Sequence, residues 1–297
     1  MKLRRQVSFF FICTAIFCIS PVAFPDNHPP SIEDLDRAIA INPDSADAYY
    51  DRGMIWQKQG NPTQAIADLT RSIKLNPRDA DAYYSRGNAY AVQENFTQAI
   101  EDYDKVIELN PQDATVFYNR GLAHDSQGNI NAAIADFTKA LKLNPNYAQA
   151  YHNRGLSWDK LGNLNQALAD LNKGIELEPG EAVAYYNRGI IYDKQGKLPE
   201  AVNDFSKAIQ LKPDYVQALT NRGSVYVELD DWGQARFDYT KAIELNPKIA
   251  QSYNNRALVF YQLKQYAKAW EDLLKAVALG YAVDPSFAAA VKKAVDK

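Results

Sequence analysis

Seven prolines recur along this chain at one fixed interval. Each stands 34 residues after the one before it, with no insertion or deletion in the series, at Pro43, Pro77, Pro111, Pro145, Pro179, Pro213 and Pro247. A strict period of this length predicts a solenoid, in which a unit buries its apolar face only against its neighbours. Fold, stability and any binding surface must therefore follow from the repeat.

The period divides the chain into seven full copies of 34 residues. We number position 1 of the first copy from Ala46, so that repeats 1 to 7 are 46–79, 80–113, 114–147, 148–181, 182–215, 216–249 and 250–283. Position 4 is aromatic in every repeat except the sixth, position 8 is Gly except in the seventh, and position 11 is aromatic or His. Positions 4, 8 and 11 share one face of a helix.

The second half of each repeat carries its own apolar stripe. Position 20 is always Ala, position 24 is Leu or aromatic, and position 28 is Ile, Leu or Val. A breaker such as Gly60-Asn61-Pro62 separates the halves, and Leu-Asn-Pro or a near variant closes the repeat. The pattern predicts an all-α fold in which each repeat is a pair of antiparallel helices, of roughly 14 and 12 residues at about 1.5 Å per residue.

This pattern resembles the tetratricopeptide repeat (TPR) family. Repeat 5 shows the family's aromatic, Gly, Tyr, Ala, aromatic, Ala and Pro signature at Tyr185, Gly189, Tyr192, Ala201, Phe205, Ala208 and Pro213. The resemblance implies a right-handed α-solenoid, a superhelix of helix pairs whose first helices line a concave groove that holds a peptide or protein segment. It implies no reaction and no cofactor.

Position 7 departs from the family pattern, because an aliphatic residue is usual there and this chain has arginine in every repeat: Arg52, Arg86, Arg120, Arg154, Arg188, Arg222 and Arg256. Position 23 is equally constant, with Asp68, Asp102, Asp136, Asp170, Asp204, Asp238 and Asp272. An unpaired charge between core positions would cost several kcal/mol. We therefore predict a structural ladder of Arg–Asp ion pairs. Capture of an anionic ligand is the alternative.

The concave groove of the family corresponds to positions 5 and 6. We predict partner-binding residues at Tyr50, Tyr84, Tyr118, Asn119, His152, Asn153, Tyr186, Asn187, Asn221 and Asn255. The asparagine row is similar to the ladder in the TPR superhelix of O-GlcNAc transferases, where amides hold a peptide backbone, since an amide both donates and accepts. The alternatives are packing between repeats for the tyrosines and capping or solvated contacts for the asparagines. Position 5 has no lysine, so the carboxylate clamp of chaperone-binding members is missing.

The ends of the array read as caps. Residues 24–45 form a linker and the second helix of a truncated repeat, opened by a capping box of Ser31 with Asp34. Residues 284–297 form a short C-terminal capping helix, which begins with Asp284 as N-cap and Pro285 at its first position.

The beginning of the chain predicts export. Lys2, Arg4 and Arg5 precede an uncharged apolar run over 7–19, which is shorter than the roughly 20 residues of a spanning helix. We assign 1–23 to a signal peptide of bacterial type, with cleavage after Ser20 or Ala23, so that the mature protein is periplasmic or secreted. An uncleaved membrane anchor is the alternative.

Composition excludes several other functions. Both cysteines, Cys13 and Cys18, lie within the leader, and the formal net charge of −3 argues against a nucleic-acid groove. The three histidines have no metal-ligand spacing, and phosphate loops and nucleophile elbows are missing from the sequence. The sequence therefore predicts a non-catalytic scaffold, without metal or cofactor, that binds a protein or peptide outside the cytoplasm. A self-assembling structural module and an accessory subunit of an envelope glycosyl-transfer system are the alternatives.

Overall fold

The computed structural model describes residues 29–297, and within that range the chain forms helices joined by short turns, without a β-strand. The leader predicted for 1–23 lies outside the described residues. The helices are α1 (Ile32–Ile41), α2 (Ala46–Lys58), α3 (Pro62–Leu75), α4 (Ala80–Val92), α5 (Phe96–Leu109), α6 (Ala114–Ser126), α7 (Ile130–Leu143), α8 (Ala148–Lys160), α9 (Leu164–Leu177), α10 (Ala182–Lys194), α11 (Leu198–Leu211), α12 (Val216–Glu228), α13 (Trp232–Leu245), α14 (Ala250–Gln262), α15 (Tyr266–Ala278) and α16 (Pro285–Val295). The all-α class and the solenoid of helix pairs are confirmed.

The chain divides into two compact units, one up to Gln93 and the other Glu94–Lys297. The first unit holds α1 to α4 and the second holds α5 to α16, so the division falls between the two helices of repeat 2. Within each unit, consecutive helices pack against one another. Each helix therefore buries its apolar stripe against its neighbours in the sequence, as a solenoid requires.

The two helices of a repeat have nearly equal lengths. In repeats 1 to 6 the first helix has 13 residues and the second has 14, as in α2 and α3, whereas the sequence predicted about 14 and 12. In these six repeats the second helix continues to the Leu at position 30, directly before the Asn-Pro or similar pair that closes the repeat. The residue before a proline is pushed out of the helical region, so the helix ends at that point and not earlier.

The glycine at position 8 marks the closest approach of the two helices in a repeat. A Cβ on Gly189 would lie 2.8 Å from the ring of Phe205, and one on Gly121 would lie 2.8 Å from the ring of Phe137. Both rings are fully buried. A large side chain at position 24 can thus fill the core only because position 8 has none.

Within each unit, arginines at position 7 hold the aspartate of the same repeat in a two-bond fork. Nε and Nη2 donate to the two carboxylate oxygens at 2.6 to 2.8 Å in the pairs Arg52–Asp68, Arg120–Asp136, Arg154–Asp170, Arg188–Asp204, Arg222–Asp238 and Arg256–Asp272. Arg86 and Asp102 fall one in each unit. The aspartates of the six pairs are buried, so the fork satisfies charges that water cannot reach freely.

The third nitrogen of the guanidinium reaches back to the preceding repeat. Nη1 donates at 2.5 to 3.2 Å to the side chain at position 25 of that repeat, in Arg52–Asp36, Arg86–Thr70, Arg120–Asp104, Arg154–Thr138, Arg188–Asn172, Arg222–Ser206 and Arg256–Thr240. The side chain at position 25 varies, but in each of these pairs it supplies an oxygen. The arginine therefore ties its own repeat together and joins it to the one before.

The same guanidinium covers an aromatic ring. Its central carbon lies 5.5 to 5.7 Å from the centre of the ring at position 4 in repeats 1 to 5 and 7. In repeat 6, where position 4 is Leu219, Arg222 instead lies 5.9 Å from the ring of Tyr226. A cation over a ring face is attracted to it, which accounts for the pairing of aromatic position 4 with arginine three residues later.

The array ends where this arginine pattern stops. In α16, Ala290 stands at the position that corresponds to arginine, and in α15 Leu274 stands at position 25, where the earlier repeats have an oxygen. The N-cap of α16 is Asp284, whose carboxylate accepts from the backbone N–H of Ser286 and Phe287. The helix buries Val291 completely against Ala269 and Leu273. At the other end, Ser31 and Asp34 form a reciprocal capping box on α1.

We predict that the Arg154–Asp170 pair is coupled. Arg154→Leu and Asp170→Asn should each lower the free energy of unfolding by about 3 kcal/mol, because each leaves a buried partner without its counter-charge. The double variant should lose clearly less than the sum of the two. The measurement is a double-mutant cycle in urea, and additive losses would contradict the pairing.

Candidate functional site

The first helices of neighbouring repeats contact one another directly in the second unit, in the pairs α6–α8, α8–α10, α10–α12 and α12–α14. Within Glu94–Lys297, the second helices of neighbouring repeats make no comparable contact. The first helices are thus the more closely spaced row, and the stack bends toward them. We call the surface formed by their positions 2, 5, 6, 9, 12 and 13 the inner face.

The side chains at positions 5 and 6 link successive first helices across the inner face. Asn153 donates from Nδ2 to the Tyr118 hydroxyl at 2.8 Å, and Asn221 donates to the Tyr186 hydroxyl at 3.2 Å. Between them, Nδ2 of Asn187 lies 3.1 Å from Nε2 of His152. Each amide therefore uses one N–H to hold the residue 35 positions earlier.

The tyrosines of this row pack on the tyrosine that ends their own repeat. The rings of Tyr118 and Tyr147 have centroids 4.7 Å apart, and those of Tyr186 and Tyr215 are 4.9 Å apart. Burial raises the pKa of Tyr118 to about 12, although its hydrogen bond with Asn153 acts in the opposite direction. Tyr118 and Tyr186 thus pack within their own repeats and reach the next repeat through their hydrogen bonds with Asn153 and Asn221.

In repeat 4, His152 stands at the position that holds tyrosine in repeats 1, 2, 3 and 5, and it forms the same kind of link to the next repeat. Burial lowers its pKa to about 4, so the ring is neutral at neutral pH and its Nε2 can accept the N–H of Asn187. His124 lies in aromatic position 11, half-buried on α6, with Nε2 3.9 Å from Asp136. Both histidines take the places of aromatic residues.

The row changes character toward the C-terminus. In repeat 6 the tyrosine is replaced by Thr220, which is buried, donates to the Val216 carbonyl at 2.9 Å and lies 3.4 Å from the Ser252 hydroxyl. Asn255 forms its hydrogen bond with Tyr239 of the second helix instead. The Asn–Tyr link between first helices is therefore not repeated between α12 and α14.

In the first unit the same positions are more acidic. Tyr50 forms a hydrogen bond with Ser85, and Gln57 donates to the Ser85 carbonyl at 2.6 Å. Asp51 occupies the position that asparagine holds later, and burial, reinforced by Asp47, raises its pKa to about 6. Tyr84 lies half-buried on α4.

Two further rows on the inner face were not singled out from the sequence. Position 9 is aliphatic and half-buried at Leu122, Leu156, Ile190 and Leu258, with Ser224 between the last two. Positions 12 and 13 form ion pairs between repeats, Lys160 with Asp125 and Lys194 with Asp159, both at 2.5 Å. The periodicity of position 9 was available in the sequence, but these residues are less regular than the arginine and asparagine rows.

Among residues 29–297, no group of three or more His, Cys, Asp or Glu side chains is arranged to hold a metal ion. A search of the same residues for a helix both long and apolar enough to cross a membrane finds none.

Comparisons with known proteins match this repeat along most of the chain. One family model described as tetratricopeptide repeat covers 80–113, 114–147, 148–181 and 182–215, which are repeats 2 to 5 with the same boundaries. Further tetratricopeptide repeat models cover 23–87 and 250–279, and a TPR repeat model covers 223–264. The chain belongs to the tetratricopeptide repeat family. Its fold is accordingly that of a protein-interaction scaffold. No curated protein matches the chain.

Solved TPR structures resemble it. YrrB, described as a TPR protein with an unusual peptide-binding site, is 27% identical with a TM-score of 0.56, over 64% of this chain and 97% of that one. MamA residues 41 to the end from Desulfovibrio magneticus RS-1 is 26% identical with a TM-score of 0.55, over 57% and 96%. PilF of Pseudomonas aeruginosa, at 19% identity, 78% and 98% coverage and a TM-score of 0.59, shares the fold.

We predict that the hydroxyls of the inner face contribute to stability. Tyr118→Phe should lower the free energy of unfolding by about 1 kcal/mol, because the Asn153 amide loses its acceptor while the ring packing is kept. Tyr151→Phe on the neighbouring helix is a matched control, since no hydrogen bond of the Tyr151 hydroxyl is found among the described residues. Equal midpoints for both variants in thermal unfolding would show that the Asn–Tyr bond is not formed in solution.

Proposed function

We propose that this protein is a non-catalytic scaffold that binds an extended segment of a partner protein across the inner face of its first helices. The observation that carries the proposal is the amide row at Asn153, Asn187 and Asn221. Each amide uses one N–H within the chain, and its carbonyl oxygen and second N–H make no hydrogen bond with any residue in 29–297. Half-satisfied amides at a regular spacing suit a peptide backbone, which offers both donors and acceptors.

The spacing of the row fits an extended chain. Packed helices lie about 8 to 10 Å apart, and an extended peptide advances about 3.3 Å per residue. One amide would therefore meet the backbone at roughly every third residue. The half-buried aliphatic side chains Leu122, Leu156 and Ile190 run beside the amides and offer apolar contact to the partner's side chains.

We expect an inner-face charge to block this binding. Val183 is 45% exposed on α10, and Phe237 is 61% exposed on the second helix α13, so a glutamate at either site should leave the fold intact. Against capped peptides selected from a random decapeptide library, Val183→Glu should weaken binding by about tenfold, or about 1.4 kcal/mol, measured by calorimetry. Phe237→Glu should bind like the parent protein.

Equal affinities of the parent and both variants would move the binding surface away from the inner face. Failure of the parent protein to select any peptide would contradict the proposed function itself.

We also propose that the protein acts outside the cytoplasm. The support is the basic start and apolar run of the predicted leader, which lie outside the described residues. When the full chain is expressed in a bacterium, the mature protein should begin at Pro21 or Phe24, as read by mass spectrometry of its N-terminal peptide. A chain that retains 1–23 in the membrane fraction would support the anchor, and one that retains it in the cytoplasm would contradict export.

A further inference from the structure

The inner face of the second unit carries a row of ion pairs that runs from one first helix to the next. Asp125 on α6 receives the Lys160 ammonium of α8 at 2.5 Å, and Asp159 on α8 receives that of Lys194 on α10 at 2.5 Å. In each pair the aspartate stands at position 12 and the lysine at position 13 of the following repeat. The row thus supplies each aspartate with a cation from its neighbour.

The row of ion pairs is interrupted between α10 and α12. Asp193 occupies position 12 of α10, but position 13 of α12 is Glu228, which has the opposite charge to the lysines before it. Lys194, the adjacent base, is already held by Asp159. Asp193 is half-buried, its carboxylate forms no hydrogen bond or ion pair with any described residue, and burial raises the pKa of that carboxyl.

A half-buried carboxylate that has no counter-ion within the chain favours the binding of a cation. Partial burial has already removed part of its hydration, so a new counter-charge faces less competition from water than it would at a fully exposed site. Glu228 adds a second negative charge at the same step. The local field therefore rejects an acidic group and attracts a basic one.

The neighbouring side chains suit the stem of a long basic residue. Ile190 lies one turn before Asp193 on α10, and Val227 is the residue at position 12 of α12. Lysine and arginine carry several methylene groups below the charged end, which pack on aliphatic side chains while the charge reaches a polar group. Asn187 lies one further turn away on α10, where it would meet the backbone of the same segment.

We propose that the step between α10 and α12 is a subsite for a lysine or arginine side chain of the bound partner segment, whose cation replaces the missing lysine of the row and pairs with Asp193. This inference rests on the proposed function. It adds a chemical preference and fixes the register of the segment, because the basic residue must lie where the internal row is interrupted.

The test uses the full mature chain and a positional-scanning library of decapeptides with acetylated and amidated ends, so that terminal charges play no part. The parent protein should select Lys or Arg at one position. Asp193→Asn should reduce that preference by about tenfold while the preferences at other positions remain. Glu228→Lys should also remove it, because it restores the internal pair.

Glu228→Lys also provides a test that needs no peptide, namely the thermal stability of the protein itself. It should raise the midpoint of thermal unfolding, since Asp193 gains the counter-ion that Asp125 and Asp159 already have. The matched control is the same Glu228→Lys change in an Asp193→Asn background, which keeps a lysine in the last turn of α12 but removes the carboxylate, so that the rise of the midpoint should be clearly smaller there.

The outcomes separate this inference from the proposed function. If peptides bind without a preference for Lys or Arg, or if that preference survives both Asp193→Asn and Glu228→Lys, the proposed subsite is contradicted. Binding of peptides to the inner face would remain supported. If no peptide binds, the proposed function fails and the subsite fails with it. An unchanged midpoint in Glu228→Lys would show that Asp193 is not an open cation position.

Discussion

One guanidinium per repeat holds this structure together. It closes the repeat by a two-bond fork to the buried aspartate, reaches the preceding repeat through its third nitrogen, and covers an aromatic ring, as Arg120 does with Asp136, Asp104 and Phe117. The planar fork of arginine makes this geometry available, and lysine could not reproduce it. Because every such contact joins neighbours in the sequence, the solenoid is stabilised step by step and has no single central core.

The inner face depends on the same regularity. Its asparagines hold the previous repeat through one N–H, as Asn153 does with the Tyr118 hydroxyl. Under the proposed function the rest of each amide would meet a peptide backbone, so that affinity and stability of the stack would share the same side chains. Discrimination between partners would then come from places where the repeats differ, such as the change from lysine to Glu228 or from tyrosine to Thr220.

Much of the fold could be predicted because its contacts are local and periodic. The proline interval defined the repeats, and a charge that never varies at positions 7 and 23 predicted the pairing of Arg154 with Asp170. The candidate site was predicted less completely. The repeat positions alone placed Tyr118 and Asn153 on the predicted groove, but they did not show that the two side chains form a hydrogen bond. That hydrogen bond joins residues 35 positions apart in the sequence, and it depends on the distance between neighbouring first helices.

The sequence by itself determined the family and the succession of helix pairs, since these depend on residue spacing of 34 and on breakers such as Pro77 that act within a few bonds. Only the tertiary structure decided which polar groups remain available on the inner face. Asp159 and Asp193 are the same residue at the same repeat position, yet one is paired and the other is not. The difference is the side chain that the next helix brings beside each of them.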